Sequence, residues 1–393
     1  IKLTVVIPVR TVGLFVFTGL LFMIHNRQFV GSLNRHRQVY MVFGVMALLG
    51  GSLAFVHGEE FYSLAESLLR NTIQPVLIFL TVYLAIEIFG IRFVANTFLL
   101  FAVISSVAAI FQFVGFDPAW DVRRVLGSIQ GDPPDIKHIL RTGSRPMGLV
   151  FTPILFSYHL VCGYVIANIL YRQGLMNPLL YAIFTVIALF GATANGTRSL
   201  VLAILVSECL QLAVRGQLKS YVLLAVGAVL AAGGFYYLET VGSRVVSADD
   251  SSAVGRFVLL KFGLQLVLDN PLGYGWGVKP GEYAWLFWEE LSHLPKASSV
   301  FRLGIHNAFV NFLLQYGIFG FSIIAMLAVL HLRKAMAIAG AFLAYFINAM
   351  FHNAGVFVGE LYFWYAFAVF VYTYDLRYAV TLANGQPRAQ QMA

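Results

Sequence analysis

The chain has 393 residues, 59% of them hydrophobic and only 11% charged, where a soluble domain carries about 25% charged residues. That composition excludes a soluble enzyme, a nucleic-acid module and a disordered segment, and fits a polytopic membrane protein, since about 20 apolar residues make one crossing. The net charge of +8 then reflects topology and anionic membrane lipids, with no nucleic acid as partner.

Taken in chain order, hydropathy and loop punctuation predict an all-α chain with about eleven transmembrane helices, at roughly 3–24, 39–56, 73–88, 93–116, 147–170, 178–193, 199–214, 220–237, 308–330, 336–351 and 356–374. The alternating ten-residue pattern of a membrane barrel is missing, so the spans read as helices. The expected organisation is N-terminal membrane helices (1–116), a first outer loop (117–146), central membrane helices (147–238), a large outer loop with amphipathic helices (239–305), C-terminal membrane helices (306–378) and a tail (379–393). Cys162 and Cys209 lie in apolar stretches and make neither a disulfide framework nor a metal motif.

Basic residues set the orientation. Arg27, Arg35, Arg37, Arg92, Arg172, Arg215, Lys219, Arg333, Lys334 and Arg377 all fall in alternate loops. They share one side, which the positive-inside rule makes cytoplasmic. An odd span count leaves Ile1 outside and predicts one further span upstream, twelve in the intact protein. The outer loops are also basic, with Arg123, Arg124, Lys137, Arg141 and Arg145 in the first, and Arg244, Arg256, Lys261, Lys279, Lys296 and Arg302 in the second. Beside a bilayer such residues call for an anionic partner, either lipid head groups or a phosphate-bearing substrate.

Four segments carry candidate chemistry. In ATANGTRS (192–199), Gly196 and Thr197 predict a turn and a helix N-cap, which puts Arg198 in the first turn of a membrane helix. The dipole there is already positive, so the arginine either snorkels to head groups or meets an anion. In the amphipathic segment 251–269, Lys261, Gln265 and Asp269 form a polar stripe. Arg256 lies about 140° from that stripe, at about 100° per residue. A charge on that side needs a carboxylate partner or a substrate phosphate. The stretch NPLGYGWGVKPG (270–281) is a Gly/Pro turn whose Tyr274 and Trp276 suit either a sugar face or the bilayer interface. In IHNAFVNFLLQYGIFG (305–320), Asn307, Asn311 and Gln315 recur every four residues. His306 in the first turn would have its pKa lowered by the dipole, leaving it neutral as a general base must be, although a lone histidine is more often structural. No metal, Walker or serine-hydrolase signature stands out.

In their order along the chain these pieces resemble the bacterial O-antigen ligase/polymerase family of membrane glycan transferases. The resemblance rests on RPMGLVFTP (145–153), Thr197-Arg198-Ser199, Gly255-Arg256, PLGYGWG (271–277), His306-Asn307 and Tyr316-Gly317-Ile318-Phe319-Gly320. The first four spans and the last two match in hydropathy only. The resemblance implies a fold similar to C-type glycosyltransferases and a glycan donor linked to undecaprenyl diphosphate, with no metal or other cofactor. It implies transfer to the lipid A-core oligosaccharide at the periplasmic face of a bacterial inner membrane. Arg198 and Arg256 would hold the pyrophosphate and His306 would activate the acceptor hydroxyl, with Arg123, Arg124, Arg145, Asn307, Tyr274 and Trp276 as candidate substrate contacts. An O-antigen polymerase shares this donor chemistry. A transporter of lipid-linked glycans would need more ionisable residues at midplane than Arg10, Glu208 and Glu360, or two similar halves.

Overall fold

The structure, a computed structural model, describes residues 9–129, 145–150, 152–215 and 251–383. The predicted span at 220–237 lies outside them, as do Lys137, Arg141, Lys219 and Arg244. The described helices of seven residues or more are α1 (Val9–Ile24), α2 (Asn26–Arg35), α3 (Arg37–Val56), α4 (Phe61–Phe89), α5 (Ile91–Phe113), α6 (Asp117–Ile129), α7 (Pro153–Arg172), α8 (Pro178–Asn195), α9 (Arg198–Arg215), α10 (Ser251–Asp269), α11 (Ala308–Leu330), α12 (Leu332–Ala341), α13 (Leu343–Ala349) and α14 (Tyr362–Ala383). No described residue lies in a strand.

Six of these helices, α3, α4, α5, α7, α8 and α11, are long and apolar enough to cross a membrane, and α1 adds a shorter apolar stretch. The chain is therefore a multi-pass helical membrane protein, with fewer such helices among the described residues than the eleven predicted spans. The third predicted span begins much earlier, at Phe61, because an amphipathic turn and a π-helical turn at Leu69–Ile73 run into it. The tenth is two short helices parted at Phe342, whose φ of −101° and ψ of 14° leave the α region. The eleventh starts at Tyr362, since Gly355 and Val358 close a tight turn before it.

The centre of the bundle is α7. Thr152 caps it, its hydroxyl accepting from the Leu155 N–H at 3.1 Å, and Pro153 opens it with a preset φ. It is apolar all round, and every residue from Phe156 to Leu170 is buried, as a helix without a polar face must be. It packs against α5, α8, α9, α13 and α14. The ends of α8 and α13 and the starts of α7, α9, α11 and α14 gather at one end of this bundle, and the candidate residues come together there.

Between α10 and α11, residues 270–307 add two 3-10 turns and a small apolar core around Val258, Phe262, Ala284, Leu291 and Val300. The 271–277 turn latches this unit to the membrane helices. Tyr274 N donates to Leu314 O at 2.7 Å, Ile318 N to Pro271 O at 2.8 Å and Trp276 N to Gly50 O at 3.0 Å. Trp276 Nε1 donates to the Tyr316 hydroxyl at 2.9 Å, which donates in turn to Phe357 O at 2.8 Å. Replacing Trp276 with phenylalanine removes the first donor of this buried chain and is expected to cost about 1–3 kcal/mol. Chemical unfolding in detergent measures it, and an unchanged midpoint would show that the bond adds nothing to stability.

Candidate functional site

The site begins where α8 ends. Gly196 takes the left-handed conformation, φ 70° and ψ 27°, and terminates the helix. Arg145 reaches this turn from the segment before α7: its Nε donates to Asn195 O at 2.6 Å and its Nη2 to Thr197 Oγ1 at 2.7 Å. Asn195 closes the loop by donating to Pro146 O. The predicted turn and helix start are present, with α9 opening at Arg198. The Thr197 hydroxyl serves Arg145 and Asn195. Arg198 is half-buried at the head of α9, and Arg145 is tied to the turn just before it.

Ser199, next to Arg198, is buried and donates to Asn348 Oδ1 at 3.0 Å. It also meets Nε2 of His352 at 3.2 Å, and Ser157 of α7 meets the same nitrogen at 3.4 Å. His352, on the loop between α13 and α14, is only 2% exposed. Burial, then the charges of Arg256 and Arg145 and the nearby His306, push its pKa down to about 3.

On the other side of the cluster, α10 buries Val258, Leu259, Phe262 and Leu266 and leaves Arg256 half-buried at the margin of that face. The charge of Arg256 acts on both His306 and His352, so α10 delivers its arginine to the end of the bundle where the other candidates meet. His306 stands one residue before the N-cap of α11 and not in its first turn, because Asn307 is the cap: its Oδ1 accepts from Phe309 N at 3.0 Å and Val310 N at 3.1 Å. The His306 pKa is lowered by burial first and by Arg256 second, which replaces the predicted dipole effect as the cause. Asn311 fixes this corner by donating to Ile305 O at 2.7 Å and Asn353 O at 2.8 Å, joining the turn that bears His306 to the loop that bears His352.

The remaining candidates fall elsewhere. Arg123 is buried, its Nε donating to Val150 O at 2.6 Å, and so braces the segment after Arg145. Arg124 points outward in an exposed pair with Asp121 at 2.6 Å. Tyr274 and Trp276 are 3% and 2% exposed and are held by the latch, with no open ring face for a sugar. Among the described residues, no group of three His, Cys, Asp or Glu side chains is placed to hold a metal ion.

A multi-pass helical membrane protein with arginines around two neutral histidines at one end of its bundle is suited to an anionic group beside a titratable proton. Residues 183–325 match a family model described as O-antigen ligase. The match takes in Arg198, Arg256 and His306, so the family resemblance of the sequence stands over this stretch. Arg123, Arg124, Arg145 and His352 lie outside the matched residues. No curated protein and no solved structure matches the chain.

Proposed function

We propose that the protein transfers a glycan from undecaprenyl diphosphate to the lipid A-core oligosaccharide, as an O-antigen ligase acting at the periplasmic face of a bacterial inner membrane. The observation that carries this is the packing of α10, which bears Arg256, on α11 just after His306, whose pKa is lowered by burial and by the charge of Arg256. Arg35, Arg92, Arg172, Arg333 and Lys334 cluster in loops or helix ends toward the opposite end of the bundle, which supports a cytoplasmic orientation for that end.

In this mechanism the acceptor hydroxyl oxygen attacks the anomeric carbon as the bond from that carbon to the diphosphate oxygen breaks. The electron pair leaves with the diphosphate and the hydroxyl proton passes to neutral His306. Arg198 and Arg256 bind the diphosphate, whose charge grows in the transition state, and guanidiniums in a site of low dielectric stabilise it. Arg145 positions the Arg198 turn. Asn307, Tyr274 and Trp276 contribute by holding the backbone around His306 and α10, and Arg123 by bracing the segment at 147–150. A single displacement inverts the anomeric centre.

Reconstitution of the purified protein with lipid-linked glycan and lipid A-core, without metal or nucleotide, tests the proposal. Glycan-bearing lipid A is the expected product. Longer lipid-linked chains made from the donor alone would replace ligase by polymerase.

A further inference from the structure

His352 has a buried atom that the mechanism above does not use. Ser199 gives its one hydroxyl hydrogen to Asn348 Oδ1 at 3.0 Å, and Ser157 gives its own to Ile154 O at 2.7 Å. A serine hydroxyl has a single hydrogen to donate. Where these two oxygens meet His352 Nε2, at 3.2 and 3.4 Å, the ring must therefore be the donor. Neutral His352 then carries its hydrogen on Nε2, and Nδ1 is left as a bare lone pair.

That lone pair is buried and has no hydrogen-bond partner among the described residues. A buried acceptor left unsatisfied is costly, and a ligand group that donates to it recovers the cost. The charged and titratable neighbours that act on this ring are Arg145, Arg256 and His306. A diphosphate bound by Arg198 and Arg256 offers oxygens that accept hydrogen bonds, which suits guanidiniums and cannot serve Nδ1. The nearest donor on such a ligand is a hydroxyl of the sugar joined to the diphosphate.

Resting on the functional reading just given, we infer that Nδ1 of His352 accepts a hydrogen bond from that sugar and so lets the site distinguish a glycosylated polyprenyl diphosphate from the bare one. The distinction has a use in the reaction. Once the sugar has been transferred, the remaining diphosphate has no group to give Nδ1 and is held more weakly, which favours its release.

Two conservative variants separate this role from a merely structural one. In His352→Gln the amide nitrogen reaches the Nε2 position and keeps the donor to Ser157 and Ser199, but nothing stands at Nδ1. In His352→Asn the amide oxygen falls near Nδ1, and the donor to the serines is lost. Native mass spectrometry of the full chain in detergent would measure binding of undecaprenyl diphosphate with and without its glycan, with thermal midpoints confirming that each variant is folded. The unaltered protein should prefer the glycosylated lipid by about tenfold, the worth of one satisfied hydrogen bond. The glutamine variant should lose that preference and the asparagine variant should keep most of it.

A glutamine variant that retains the preference would overturn the inference, as would an asparagine variant that loses it as fully as glutamine does. Equal binding of the two lipids by the unaltered protein would also overturn it while leaving the functional reading in place. Failure of either lipid to bind the unaltered protein would remove the functional reading and this inference together.

Discussion

Replacing His306 with alanine is expected to lower glycan transfer by about 10²–10⁴-fold, the usual contribution of a positioned general base. The side chain lies outside the helical core, on the turn before the Asn307 cap, so the fold should survive its truncation. A base acts in its neutral form, and burial together with Arg256 holds the His306 pKa below the ordinary value of 6.5. The transfer rate should therefore stay on its plateau as the pH falls through 6.5 and decline only below that, when imidazolium forms. Replacing Arg256 with glutamine removes one of the two causes of the lowering, so the acid limb of the remaining activity should move to higher pH. Rate against pH at saturating donor measures both effects. A His306→Ala protein within about tenfold of the original rate would remove the histidine as base, and an acid limb that stays put in the arginine variant would break the coupling between the two residues.

Local signals in the sequence give the parts of this site that depend on neighbours along the chain. The Gly196–Thr197 turn and the start of α9 are legible because glycine supplies the left-handed residue that ends α8. The start of α11 was read too early, at His306, because Asn307 counted as part of a polar stripe and is in fact the N-cap. The position of Arg256 away from the polar stripe follows from helical spacing, and the structure brings it to His306. Arg124 illustrates a signal read too generously: Asp121 three residues earlier already offered it a partner on the same exposed face of α6. His352 was missed because its partners Ser157 and Ser199 come from two other helices, and no spacing rule links positions that only tertiary packing joins. One signal was present: Asn348, His352 and Asn353 interrupt an otherwise apolar stretch, and polar residues in such a place ask for a partner or a task. The bounds of the membrane helices were hardest to read from hydropathy, because a window average does not see the break at Phe342 or the π-helical turn within α4.

Gly317→Ala is expected to destabilise the protein by about 3 kcal/mol or more. Gly317 sits inside α11 with φ 59° and ψ −164°, a region that is almost closed to residues with a Cβ. An added Cβ would also fall 1.9 Å from Leu272 O and 2.2 Å from Leu272 C. These are backbone atoms of the latch and cannot move aside as a flexible side-chain end can. Gly340→Ala in α12 is the matching control, since its Cβ would meet nothing within 4 Å and its φ is not positive; there alanine should be neutral or stabilise by about 0.5–1 kcal/mol. The effect should reach the site. The latch joins the end of α10 to α11, so it sets where Arg256 lies relative to His306, and the Gly317→Ala protein that does fold should transfer glycan poorly. Thermal unfolding in detergent, with transfer activity normalised to folded protein, separates the two consequences. Equal midpoints for Gly317→Ala and Gly340→Ala would show that the break in α11 stores no requirement for glycine. A lower midpoint with full specific activity would show that the latch stabilises the protein without setting the geometry of its arginine and histidine.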